Sequence, residues 1–339
     1  MITPATGSGV LSYQWQSSTT DCTNGFSNIA INGTSATYDA PPGLSVTTYY
    51  RRITTSTLNG VPCSATGNCI TVTANSVTAG AISGNRTVCS GGNPAAFTET
   101  TAATGTGLTY QWQYSLTSGA GPWTDISGAT SATYDEPGPI TQNTFYQRVV
   151  KASVNGTDCF AYSGFVVVFV NNVTASNVAG DQTLCSNIDP TAFSVLTPAS
   201  GNGALTYQWQ SNIIGCSSLW TNIASATSAT YNAPPISQTT YFHTVITSTL
   251  NTVQCTAVSN CIVVTSNAKI WNGSSDDDWN TATNWTPNGI PNSINCVIIP
   301  NVTNDPEISG TNYNGYGNSL TILNGGKLEL ESYKQPNYY

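Results

Sequence analysis

Alternation of apolar and polar positions is clearest in three short stretches. Leu11, Tyr13 and Trp15 alternate with Ser12, Gln14 and Gln16, and the same order recurs at Leu108–Gln113 and Leu205–Gln210. A period of two puts Leu, Tyr and Trp on one face of a strand and the amides on the other. Trp15, Trp112 and Trp209 are therefore core candidates, with both Gln of each YQWQ facing out. A carbohydrate platform would need the opposite arrangement. Each strand is followed by the same succession. An aromatic comes with Ile three residues on (Phe26 and Ile29, Trp123 and Ile126, Trp220 and Ile223). Next stands TSATY, at Thr34–Tyr38, Thr130–Tyr134 and Thr227–Tyr231, and a Pro-rich turn. Paired aromatics (Tyr49-Tyr50, Phe145-Tyr146, Tyr241-Phe242) mark a further strand, and apolar runs at Cys69–Thr73, Phe165–Val170 and Cys261–Thr265 mark a last one. No long stretch carries apolar residues at i, i+3, i+4 and i+7, so the chain reads as all-β.

The tryptophans recur every 97 residues, so the repeating unit is a whole domain rather than a solenoid rung. Short strands with turn signals between them, and a Trp in the middle of each unit, predict three tandem immunoglobulin-like β-sandwiches. The boundaries read 1–78, 79–175 and 176–267, with a different segment at 268–339. By this register the first unit lacks its opening strand. The expectation is a chain that is truncated there, or that borrows the strand from a neighbour.

Composition sharpens this picture. Only 7% of the 339 residues are charged, against about 25% in an average soluble protein. A net charge of −8 with eight Lys and Arg leaves no basic patch for nucleic acid. No apolar run is long enough to span a membrane as a helix, and MITPATGSGV lacks the features of a signal peptide.

Of the ten cysteines, all but Cys296 fall within the repeats. The second unit holds only Cys89 and Cys159, which predicts that pair and, one repeat on, Cys185–Cys255. Cys22 corresponds to Cys216 and Cys69 to Cys261, which predicts Cys22–Cys69 and Cys216–Cys261. Cys63 and Cys296 are left over and are candidates for an intermolecular bond. With no CxxC and a single His, these are structural disulfides rather than metal ligands, and they place the protein in an oxidising, extracytoplasmic setting.

The last segment changes grammar. Val297–Ile299, Ser319–Leu323 and Lys327–Glu331 read as short strands of a small β-roll or solenoid-like element. Asp276, Asp277 and Asp278 in a Gly/Ser/Asn loop offer hard oxygen ligands for calcium, the one cofactor the sequence raises; otherwise it calls for none. The bland alternative is a solvated turn.

No constellation for catalysis is visible. His243 occupies a strand position held by Arg51 and Gln147 in the sister units, a pattern that predicts an exposed side chain. Asp135-Glu136 is replaced by Asp39-Ala40 and Asn232-Ala233, which argues against paired-carboxylate chemistry. The protein reads as a non-enzyme.

The units resemble the Ig-like domains found in tandem in secreted and cell-surface proteins of Bacteroidetes-type bacteria. The residues carrying that resemblance are Cys89-Ser90-Gly91, Tyr110–Gln113, Trp123–Tyr134, Phe145–Val150 and Cys159. Trp271–Ile299 looks like the W-x-G…DW…NW element that follows such domains. The resemblance implies export to the outer surface, often by the type IX route, and adhesive, surface-layer or spacer roles. The partners it implies are further copies, other surface proteins or glycans. Three functions follow as expectations: a rigid extracellular rod, a filament subunit assembling by strand addition, or an accessory part of a secreted hydrolase. In the last case Trp123, Trp220 or the Trp271–Trp285 segment would bind carbohydrate.

Overall fold

The computed structural model describes residues 4–217, 219–309 and 314–331. Among these there is no α-helix, and one 3₁₀ turn at Ala282–Asn284. The chain divides into two compact units, Met1–Phe169 and Val170–Tyr339. The first holds repeats one and two. The second holds repeat three and the C-terminal segment.

Every repeat is built on the same two-strand centre. The Trp strand (Val10–Ser18, Thr109–Ser115 or Ala204–Asn212) pairs antiparallel with a long strand (Thr48–Leu58, Thr144–Val154 or Thr240–Leu250). The long strand is shared. Its second half pairs with a hairpin strand (Val61–Thr66, Thr157–Tyr162 or Val253–Val258). Its first half pairs with a closing strand (Ile70–Val72, Val166–Asn171 or Ile262–Ser266). In repeats two and three a leading strand, Arg86–Cys89 or Gln182–Leu184, adds to the outer edge of the closing strand. A small opposing sheet, Ala81–Ser83 with Thr98–Thr101 or Asn177–Ala179 with Ser194–Thr197, supplies the second layer. These are open Ig-like sandwiches, not closed barrels.

The hairpins turn on two residues of left-handed backbone. Asn59-Gly60 (φ 51° and 80°) and Asn155-Gly156 (φ 49° and 78°) use the favoured residues for such turns. Repeat three uses Asn251-Thr252, and Thr252 sits at φ 70°, where a β-branched residue is strained.

In repeat three the core is Val178, Phe193, Trp209, Ala226, Ala233, Ile236, Phe242, Ile262 and Val264. The C-terminal segment has its own core of Trp271, Trp279, Trp285, Val297 and Ile299. Its strands Ala268–Trp271, Cys296–Ile299 and Ser319–Ile322 form a parallel ladder, with Trp285–Thr286 antiparallel on the outer edge.

Candidate functional site

The two repeated phrases of the sequence meet in space. Each YQWQ tryptophan donates its indole N–H to the Ser carbonyl of the following TSATY, at 3.0 Å in all three repeats (Trp15 to Ser35, Trp112 to Ser131, Trp209 to Ser228). The Tyr of the same TSATY lies against that Trp, with ring centroids 5.9, 5.7 and 5.6 Å apart. Trp112 and Trp209 are fully buried and Trp15 is 8% exposed. Burying an aromatic while satisfying its single donor is the arrangement such a side chain requires in a core.

The glutamines do not simply face out. Gln14, Gln111 and Gln208 each donate to two carbonyls, their own Trp and the Ile fifteen residues on (Ile29, Ile126, Ile223). The second Gln of each phrase binds the next segment: Gln16 to Asn28, Gln113 to Asp125 and Gln210 to Asn222. It also meets the variable position of the long strand: Arg51 at 2.9 Å, Gln147 at 2.7 Å and His243 at 2.6 Å. His243 is therefore not the exposed side chain its substitution pattern predicts. It is 7% exposed, as is Gln147. Trp220 covers it, with centroids 3.6 Å apart. In repeat one the counterpart is Arg51 over the Phe26 ring at 3.9 Å. A cation and a neutral imidazole both suit an aromatic face, so the position tolerates exchange while remaining covered. Burial pushes His243 below its ordinary pKa.

The disulfides follow a different logic from the repeat register. Cys22–Cys69 and Cys216–Cys261 join the loop after the Trp strand to the closing-strand side of the same repeat, with Cα atoms 5.7 Å apart in both. The expected Cys89–Cys159 and Cys185–Cys255 pairs are not formed. Cys159 is a free thiol, although Cys89 and Cys255 are both disulfide-bonded. Cys185 bonds Cys296, with Cα atoms 5.6 Å apart. The reason is topological. Cys89 ends the leading strand, and just beyond it Gly91 donates to Ile140, ahead of the long strand's start at Thr144. Cys159 stands opposite Ala152, at the far end of that strand. At ~3.3 Å per residue the two lie roughly 26 Å apart along the strand, against the ~6 Å a disulfide tolerates. The expected intermolecular role of Cys63 and Cys296 also fails for Cys296, which is buried and bonded within the chain, whereas Cys63 is exposed and free.

Three asparagines that sequence reasoning passed over stand at the repeat ends, 96 residues apart: Asn75, Asn171 and Asn267. Asn75 donates to Ala152 O and Thr157 O. Asn171 donates to Ser248 O and Val253 O and accepts the Ser248 hydroxyl at 2.6 Å. Asn267 donates to Ile294 O. Their common spacing is the signal that would have found them. Cys185 and Cys296 flank the last of them: Asn267 N donates to Leu184 O, and Cys296 N donates to Asn267 O. Cys159 sits likewise, its thiol 3.5 Å from Asn75 O.

In the C-terminal segment the Asp residues organise a turn. Asp276 accepts from Asp278 N, Asn284 Nδ2 and Thr281 Oγ1 at 3.0, 2.6 and 3.0 Å, and Asp278 accepts from Asn280 N. Desolvation works to raise the Asp276 pKa, and the three hydrogen bonds outweigh it. Among the described residues no group of three or more His, Cys, Asp or Glu is placed to hold a metal ion, and Asp276, Asp277 and Asp278 make no such group. Trp271, Trp279 and Trp285 are 0–3% exposed and pack edge to face, 4.8–5.0 Å between centroids. They fill a core rather than offer a sugar platform. Trp123 and Trp220 remain half-buried.

Comparison with family models is decisive on one point. A model described as a domain of unknown function, DUF8696, matches residues 1–76, 78–172 and 174–268. The chain belongs to the DUF8696 family. A second domain of unknown function, DUF8693, matches residues 270–335 of the same DUF8696 chain. A search of the curated proteins returns no match. Among solved structures, three N-terminal domains of the bacteriophage RB49 highly immunogenic outer capsid protein Hoc are similar. They show 10% identity and a TM-score of 0.35, covering 76% of this chain and 88% of that one. Titin domains I67–I69 show 8% identity and a TM-score of 0.39, covering 77% and 89%. Titin domains A168–A170 show 12% identity and a TM-score of 0.32, covering 75% and 88%.

Proposed function

We propose that this DUF8696 chain is a non-enzymatic extracellular structural or adhesive protein, a rod of disulfide-stabilised Ig-like domains. The observation that carries the reading is the fate of its recurrent polar residues. The glutamines of YQWQ, the Ser carbonyl of TSATY and the junction asparagines are all consumed in holding the repeats together. Eight of ten cysteines are in disulfides, which fits an oxidising compartment, and among the described residues no helix is long and apolar enough to cross a membrane. The resemblance to Bacteroidetes-type surface proteins supports a place on the outer surface reached by type IX export. A second reading, carbohydrate binding, is favoured only by the half-buried Trp123 and Trp220. A glycan array with the wild-type chain and the Trp123→Ala and Trp220→Ala variants separates the two. The scaffold reading expects no glycan bound above background. Binding that either substitution removes would replace it with the carbohydrate reading.

A further inference from the structure

Repeat one differs from its sisters on one surface. In repeats two and three a fourth ring closes the aromatic core. Phe97 lies 5.7 Å from Trp112 and 4.8 Å from Tyr146, and Phe193 lies 5.6 Å from Trp209 and 5.1 Å from Phe242. Repeat one has Trp15, Tyr38 and Tyr50 in the same relation, at 5.9 and 5.8 Å. Among the described residues no fourth ring joins them. Its closing strand Ile70–Val72 pairs only with the long strand among the described residues, and Ile70 is 47% exposed. In repeat three the same edge is covered: Gln182, Thr183 and Leu184 run parallel to Val264, Thr265 and Ser266. The register carries those three partners onto Val72, Thr73 and Ala74.

The cysteine pattern continues the comparison. In repeat three the leading strand is followed directly by Cys185, which bonds Cys296 beside Asn267. At the end of repeat one the residue in the place of Asn267 is Asn75, and beside it stands Cys159 of repeat two, free and half-buried. An open hollow of about 420 Å³ lies there, lined by Leu44, Val72, Ala74, Asn75, Asn155 and Cys159 among others. Leu44 takes the place of Ile140 and Ile236, whose carbonyls accept from Gly91 and Asn187 just beyond the leading strands.

We infer that this surface of repeat one accepts an extended strand of the repeat's own sequence type. That strand reads Arg/Gln-Thr-Val/Leu-Cys, followed eight residues later by Phe, and its cysteine bonds Cys159. Edge pairing supplies the backbone hydrogen bonds and the Phe packs against the Trp15, Tyr38 and Tyr50 cluster as Phe97 and Phe193 do in the sister repeats, the side-chain selectivity that strand addition uses. The bond forms by thiol–disulfide exchange. The Cys159 thiolate attacks the strand's sulfur in a mixed disulfide, a new S–S bond forms, and the small thiol departs with the electron pair. This goes beyond the scaffold reading and does not depend on it.

The test uses the full chain and a synthetic peptide with the sequence of Gly84–Thr101, its cysteine activated as a thiopyridyl disulfide. Binding makes the exchange effectively intramolecular. Modification of Cys159 should therefore run roughly tenfold or more faster than with a scrambled peptide, and faster than modification of exposed Cys63. The peptide carrying Phe97→Ala should lose most of that advantage. A Cys159→Ser chain should still bind the unactivated peptide, seen as a change in peptide fluorescence anisotropy. Equal rates for the native and scrambled peptides, or preferential labelling of Cys63, overturn the proposal. So does a chain that forms Cys159-linked dimers with its own kind and excludes the peptide.

Discussion

At the residue scale the Trp–Ser bracket and the covered His243 make separable demands. Trp112 is fully buried and its indole N–H is bonded. Trp112→Ala removes both packing and a satisfied donor and should destabilise repeat two by about 3–5 kcal/mol. The same change at Trp15, where no fourth ring closes the cluster among the described residues, should cost less. Urea unfolding followed by hydrogen exchange resolves the two repeats and checks the order. His243 tests the covered position by pH. Burial lowers its folded pKa below the ordinary 6.5, so above 6.5 both states are neutral and the full stability is present. As pH falls below 6.5 the unfolded chain takes up the proton first, and stability is lost until the folded pKa has been passed. A His243→Gln variant, copying Gln147, should flatten that part of the stability–pH curve. An unchanged slope between pH 7 and pH 5 would contradict the assignment.

At the element scale two features of the long strand set stability. Thr252 holds a left-handed backbone at the hairpin turn of repeat three, where the sister turns have Gly60 and Gly156. Thr252→Gly should raise the stability of that hairpin by about 1 kcal/mol, since the strain of a left-handed L-residue is of that order. Amide exchange in Val253–Val258 reads it directly. Repeat two carries a feature that repeat three lacks. Arg148 is fully buried, bonded to Ala132 O and Ala79 O, and paired with Glu99 at 2.9 Å. Repeat three has Thr244 at the same place. Glu99→Ala leaves a buried charge without its carboxylate and should cost about 3 kcal/mol or more, whereas Glu99→Ala with Arg148→Thr should recover part of that loss. Thermal melts of the single and double variants decide whether the pair specifies or stabilises. Nearby, burial first and the Glu136 charge second push Tyr134 up to about 12, so its hydroxyl stays protonated across the physiological range.

At the scale of the whole molecule, cysteine chemistry is the most accessible observable. Cys63 and Cys159 are the free thiols. Alkylation of the native protein should modify these two alone, Cys63 faster because it is exposed. Non-reducing digestion should recover Cys185 and Cys296 in one fragment, apart from the fragments joined by Cys22–Cys69 and Cys216–Cys261. Recovery of a Cys185–Cys255 fragment would restore the register-based pairing and remove the comparison on which the strand-acceptor surface rests.

The chain's repeat period, its all-β class and the inward parity of Leu, Tyr and Trp are properties of neighbouring residues, and the sequence alone determines them. A two-residue period and a 97-residue recurrence need no knowledge of what lies across the sheet. Three other matters were decided only in three dimensions. The YQWQ glutamines became brackets because an Ile carbonyl fifteen residues away comes within reach. His243 became buried because Trp220 folds over it. The cysteines chose partners by which strand ends lie together, so Cys185 met Cys296 rather than its apparent sibling Cys255. Register says which residues are equivalent, whereas strand order and direction set which are adjacent, and a covalent bond responds only to the second.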